Sequence, residues 1–308
     1  MVSRALSPGQ RHDARGDGPR TAFVLSGGGN QGVAQVGMLR GLIERAIVPD
    51  VVIGTSAGAL NGAALCYAPN LTGIARLANV WMGLTTATAF PGGKISRAWN
   101  VVRRETNLFS NEGLVHIIDT ATPARSFADL QIPLRVNATD LDTGEEVVIV
   151  RGPLKPALLA STCLPGIFPV IEHAGRRLVD GGVVNSVPLW HAISGPVDRV
   201  FVLNVSGSFS DRPQRSPLDV VMTSFAHSRN QRYELERRHM PAGIELIELP
   251  RPHDTREIYD FSGGEELIEA AYQLTLTALD AHDRVERAEH AAHRRPHLPF
   301  RRARAVEA

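Results

Sequence analysis

Lysine is almost missing from this chain of 308 residues: Lys94 and Lys155 stand alone, and arginine carries the rest of the positive charge. Cysteine is equally scarce. Cys66 lies in "GAALCYA" and Cys163 in "LASTCLPG", with no CxxC pair and no histidine at metal-ligand spacing. That excludes a disulfide framework and a zinc-ribbon site, and both thiols are expected to be buried and free. No apolar run approaches the ~20 residues that span a bilayer. The opening "MVSRALSPGQRHDARGDGPR" lacks the apolar core of a signal peptide, so a cytoplasmic location is expected. HExxH and an EF-hand loop are missing too, so no metal is expected. With a net charge of +1 the whole molecule is not built to coat nucleic acid. Internal repeats and low-complexity linkers are also lacking, which favours one domain.

What is present is hydrophobic residue enough for one large core, 43% of the chain. "TAFVLS" at 21–26 reads as a buried strand, followed by three consecutive glycines and then a helix over 33–46 with apolar residues at helical spacing. "PDVVIG" reads as a second strand and "SAGALNGAALCYA" as a helix of small residues. This strand–loop–helix order predicts an α/β fold with a mainly parallel sheet covered by helices on both faces. "PLRVNATDLDTGEEVVIV" reads as two strands around a tight turn, "RRLVD" and "RVFVLNV" as further strands. Ser216-Pro217 begins a long helix, and Ser262 with Glu265 reads as a capping box for the last one. The expected organisation is an Arg/Gly/Pro-rich arm over 1–19, a domain over 20–290, and a basic tail over 291–308. The tail reads as solvated chain, or as a peripheral contact for an anionic lipid surface.

The glycine loop admits two readings, a nucleotide phosphate or the oxyanion of an acyl transfer. Gly27, Gly29 and Gly32 satisfy GxGxxG, but dinucleotide binding also needs an acid at the end of the second strand. Here the acid, Asp50, stands at its start. Gly-Lys-Ser/Thr is missing as well, which removes the Walker loop. The second strand ends instead in Gly54-Thr55-Ser56-Ala57-Gly58, a GxSxG between a short apolar strand and a helix. In that context the glycines let a strained turn present the serine hydroxyl as a nucleophile. The loop amides of Gly27, Gly28 and Gly29 then read as an oxyanion hole. Asp180, at the end of "RRLVD" and followed by Gly181 and Gly182, reads as the base, with an ordinary turn aspartate as the alternative.

"SGGGNQG", "GTSAGAL" and "DGGVVNSVP", in this order and spacing, resemble the patatin-like phospholipase family, as do "ATDLDTGEEVV" and "ALLASTCLPGIFPV". The resemblance covers roughly residues 20–205. It implies a three-layer α/β/α fold, a serine–aspartate dyad without histidine, no cofactor, and hydrolysis of lipid acyl esters. Carried over by position, Ser56 is the nucleophile, Asp180 the base, and Gly27–Gly29 the oxyanion loop. One departure stands out: the family's loop usually carries arginine where this chain has Gln31. That leaves a catalytically weak lipid-binding or regulatory protein as the alternative function. Trp81, Phe90 and Trp99 are read as core, with an acyl groove as the alternative. His173, His191, His227 and His239 are the histidines a hidden triad would draw on; the last two are expected on a solvated helix face. The sequence leaves the particular lipid and the oligomeric state open.

Overall fold

The computed structural model describes residues 18–90, 107–206, 217–254, 256 and 260–293. The basic tail from 294, the arm up to 17, Trp99 and Ser216 lie outside the described residues.

The two leading strands, β1 (Thr21–Leu25) and β2 (Val51–Thr55), pair in parallel and start the sheet. β1 is buried at every position, as a strand must be when both sheet faces are covered. Its alternate side chains enter different cores. Phe23 and Leu25 pack with α1 (Gly32–Glu44), α2 (Ala57–Tyr67) and α3 (Leu71–Met82). Ala22 and Val24 pack with Leu189 of α7 (Leu189–Ile193) and Tyr233 of α8 (Pro217–Arg238). The final helix, α9 (Gly264–His293), adds Ile268, Ala271 and Leu279 to the first core. Three layers, helices over sheet over helices, follow from that division.

Among the described residues the sheet has eight strands, along the path β5-β6-β3-β2-β1-β7-β8 with β4 on β3. β7 (Arg199–Leu203) and β8 (Glu245–Glu248) extend the parallel part beyond β1. β3 (Leu134–Asp140) and β4 (Glu146–Ile149) form the expected antiparallel hairpin. β6 (Arg176–Asp180) runs antiparallel to β3 and pairs with β5 (Ile171–His173), and with β4 they make the antiparallel part of a mainly parallel sheet.

β3 therefore has three neighbours. β4 pairs with Val136–Thr139, so it occupies one edge of β3. β2 pairs with Leu134–Asn137 and β6 with Ala138–Asp140, and both overlap the β4 span, so both must occupy the other edge. One runs parallel to β3 and the other antiparallel. Their C-terminal ends consequently meet head to head, and Ser56 and Asp180 stand at that junction.

One smaller reading changes. The last helix begins at Gly264, and the Ser262 hydroxyl bonds to Asp260 Oδ1 at 2.6 Å. Both cysteines are free and buried as expected, and burial pushes the Cys163 thiol up to about 12.

Candidate active site

Ser56 occupies the turn from β2 into α2 with φ 54° and ψ −122°, a left-handed conformation that disfavours any side chain. The turn is held from both sides. The Ser56 amide donates to Ser161 Oγ at 2.9 Å, and that hydroxyl donates to the Asn137 carbonyl at 2.6 Å. Ser161, on α6 (Leu154–Thr162), is buried completely. Sequence reasoning gave it no role, although it lies inside "ALLASTCLPG". Ser161→Ala is expected to cost about 1–2 kcal/mol of stability by removing the acceptor of the Ser56 amide. It is also expected to lower kcat about tenfold as the serine turn loosens, measured by thermal melting and soluble-ester turnover.

The Ser56 hydroxyl donates to Asp180 Oδ2 at 2.6 Å. Asp180 Oδ1 accepts from the Gly182 amide at 2.7 Å, and the Asp180 amide donates to the Cys163 carbonyl at 3.0 Å. The carboxyl is 2% exposed. Burial raises its pKa to about 6, against the bonds from Ser56 and Gly182 and the charge of Arg229, which all favour the ionised form. None of the described histidines is bonded to either residue. His191 Nε2 lies 2.7 Å from Glu146 Oε2, and burial lowers its pKa. His227 is exposed on α8 as expected, and His239 is exposed in the turn that follows its end.

The glycine loop abuts the serine: a Cβ on Gly27 would stand 3.3 Å from Ser56 Cβ. The Gly27 amide donates to the Ser186 carbonyl at 3.0 Å, so it serves the loop and not a ligand. That narrows the oxyanion expectation to Gly28 and Gly29, whose amides have no acceptor among the described residues. Behind the loop, Gln35 Nε2 donates to the carbonyls of Ser26 and Leu203, and Asn61 links Gln35, the Gly32 carbonyl and Trp81 Nε1. Gln31 is buried and engaged by Asp254, its Nε2 lying 3.3 Å from Asp254 Oδ2. Asp254 is itself paired with Arg256 at 3.0 Å. A cation thus stands one carboxylate away from the position where the family usually places arginine. Asp50 accepts from the Thr21 amide at 2.7 Å and holds the start of β1.

An apolar cleft opens over Ser56, roughly 600 Å³ counted out to solvent. Gly29, Trp81, Phe90, Leu114, Phe168 and Phe261 are among its lining residues, so Trp81 and Phe90 belong to the cleft as well as to the core. Phe90 stacks on Phe168 at 5.6 Å and meets Phe109 at 5.4 Å.

A helix-covered α/β sheet, with a strained serine at one strand end facing a buried aspartate at another, defines the class of protein. The patatin-like phospholipase family model matches residues 23–193, and the chain belongs to that family. It is 32% identical over 173 residues to patatin-like phospholipase domain-containing protein 7 of Rattus norvegicus, covering 56% of this chain and 12% of that one. It is 30% identical over 190 residues to an uncharacterised NTE family protein of Mycobacterium tuberculosis, covering 62% and 50%. The chain thus spans half or less of the length of these relatives. Among solved structures it is similar in fold to VipD from Legionella pneumophila, with TM-score 0.50 and 13% identity, covering 86% of this chain and 67% of that one.

Proposed function

We propose that the protein is a serine acyl hydrolase that cleaves carboxylic esters of lipids through a Ser56–Asp180 dyad and an acyl-enzyme intermediate. The observation that carries this reading is the 2.6 Å bond from a strained serine hydroxyl to a buried carboxylate under an apolar cleft. Asp180 Oδ2 takes the hydroxyl proton as Ser56 Oγ bonds to the ester carbonyl carbon. The carbonyl oxygen, now negative, is received by the amides of Gly28 and Gly29 and by the positive end of α2, which starts at Ala57. Collapse of the intermediate expels the alcohol, which leaves with the proton from Asp180. Water then attacks the acyl-serine by the same route, and Asp180 again carries the proton. A buried base with pKa about 6 is poised for proton transfer near neutral pH in a way an exposed carboxylate is not.

The apolar lining of the cleft supports a fatty acyl chain as its occupant, with the polar part of the lipid toward solvent. Kinship to the patatin-like phospholipases and to an NTE family protein supports a lipid ester over a small polar one. The reading is tested by treating the protein with an alkyl fluorophosphonate. Stoichiometric labelling of Ser56, prevented by a competing long-chain ester, is the expected result. Labelling elsewhere, or none, overturns it.

A further inference from the structure

The Asp180 carboxylate has to carry a negative charge inside the protein, yet neither of its hydrogen-bond donors is charged. Ser56 brings a hydroxyl and Gly182 an amide. On the other elements against it, β3 contributes Ala138, opposite Asp180 in the strand pairing, and Cys163 follows α6 with a thiol that stays protonated at neutral pH. Among the described residues, the charged side chain that acts on Asp180 comes from the far layer, Arg229 of α8. Arg229 Nη1 donates to the Gly182 carbonyl at 3.0 Å. A Cβ on Gly182 would lie 3.0 Å from Asp180 Oδ1 and 3.4 Å from Arg229 Nη1, so carboxylate and guanidinium flank the same glycine.

Arg229 is an expensive residue to place there. Its Nε is buried without a partner. A cation removed from water needs an opposite charge to offset its lost hydration, and Asp180 is the carboxylate that acts on it. The arrangement makes sense if the two charges are kept for each other.

We propose that Arg229 is a positioning residue of the active site, which keeps Asp180 ionised and pins the turn at Gly181–Val183 that carries it. The inference rests on the dyad reading above. It adds a residue outside the 23–193 family match, from a helix that reaches the site from the opposite side of the sheet.

Arg229→Gln retains a donor for the Gly182 carbonyl and removes the charge; Arg229→Lys keeps the charge and alters the fit. The measurement is the pH dependence of kcat for a p-nitrophenyl ester, together with the rate of fluorophosphonate labelling. Wild type is expected to lose activity as pH falls through about 6. In R229Q the acid limb moves upward by roughly one to two pH units, the shift that losing one nearby opposite charge produces, and in R229K it stays close to wild type. An acid limb unmoved in a folded R229Q overturns the proposal. Should R229Q melt below the assay temperature, the same profile is recorded for Arg229→Met at a temperature where it is folded: a limb displaced upward supports the role, and an unmoved limb overturns it. Failure of the dyad reading looks different, because wild type itself would then show no acid limb or Asp180→Asn would remain active.

Discussion

Ser56→Ala and Asp180→Asn are each expected to lower kcat on a soluble ester by roughly a thousandfold or more, and the double variant to lose little beyond either. In the proposed dyad the two groups act on one proton, so removing either ends its transfer. His191→Ala is expected to retain kcat within a few-fold, because its ring is engaged with Glu146. An active Asp180→Asn beside an inactive His191→Ala would replace the dyad with a histidine mechanism. Stability separates loss of chemistry from loss of fold. The folded pKa of Asp180, about 6, lies above its ordinary 3.8. A group raised in this way favours folding while protonated, and the advantage is lost as pH rises through about 6. At pH 8 the ionised buried carboxylate weakens the fold by on the order of 3 kcal/mol relative to its neutral form. Asp180→Asn should therefore melt at or above wild type at pH 8, with the difference shrinking toward pH 4. An inactive variant that melts higher cannot owe its inactivity to unfolding.

The second large effect is expected at Gly58. A Cβ there would lie 2.3 Å from the Leu25 carbonyl oxygen and 2.6 Å from the Ser26 oxygen, both backbone atoms at the end of β1. Neither can move without pulling the glycine loop. Gly58→Ala should destabilise by about 3 kcal/mol or more, and Gly58→Val should fail to fold at 37 °C. Gly144 provides the contrast. Nothing lies within 4 Å of a Cβ there, and with φ at +72° only left-handed strain opposes a side chain. Gly144→Ala should cost about 1–2 kcal/mol. Denaturant midpoints check both, and a Gly58→Ala variant melting within about 2 °C of wild type would contradict the packing argument.

Ser56 and Asp180 could be read from the sequence because each sits where an apolar strand breaks into glycines, a signal local to a few residues. Both expectations about the layers hold for the same reason: β1 is apolar without alternation, so both its faces had to be covered. Whether Gly27 offers its amide to a ligand was not local information, since its acceptor, Ser186, is brought in by the turn after β6. Ser161 and Arg229 reach the site from elements with no motif of their own. The β8 segment "ELIE" is short and flanked by glutamates, too weak a pattern to read as a strand, and becomes one only because β7 is there to pair with it. The direction of β6 was hidden too. The chain returns at Ala174-Gly175, both with positive φ, as a tight hairpin and not as a crossover.

The meeting of β2 and β6 on one edge of β3 also bears on how the chain assembles the candidate site during folding. Ser56 and Asp180 are 124 positions apart, and they face each other only after β3 has taken one strand beside its first half and the other beside its second. Both pairings close long loops, and such non-local contacts form slowly. A chain with its helices in place and β6 still unpaired would hold the serine in its turn with no base in front of it. On the dyad reading proposed above, the site is therefore complete only once β6 has paired with β3 beside β2.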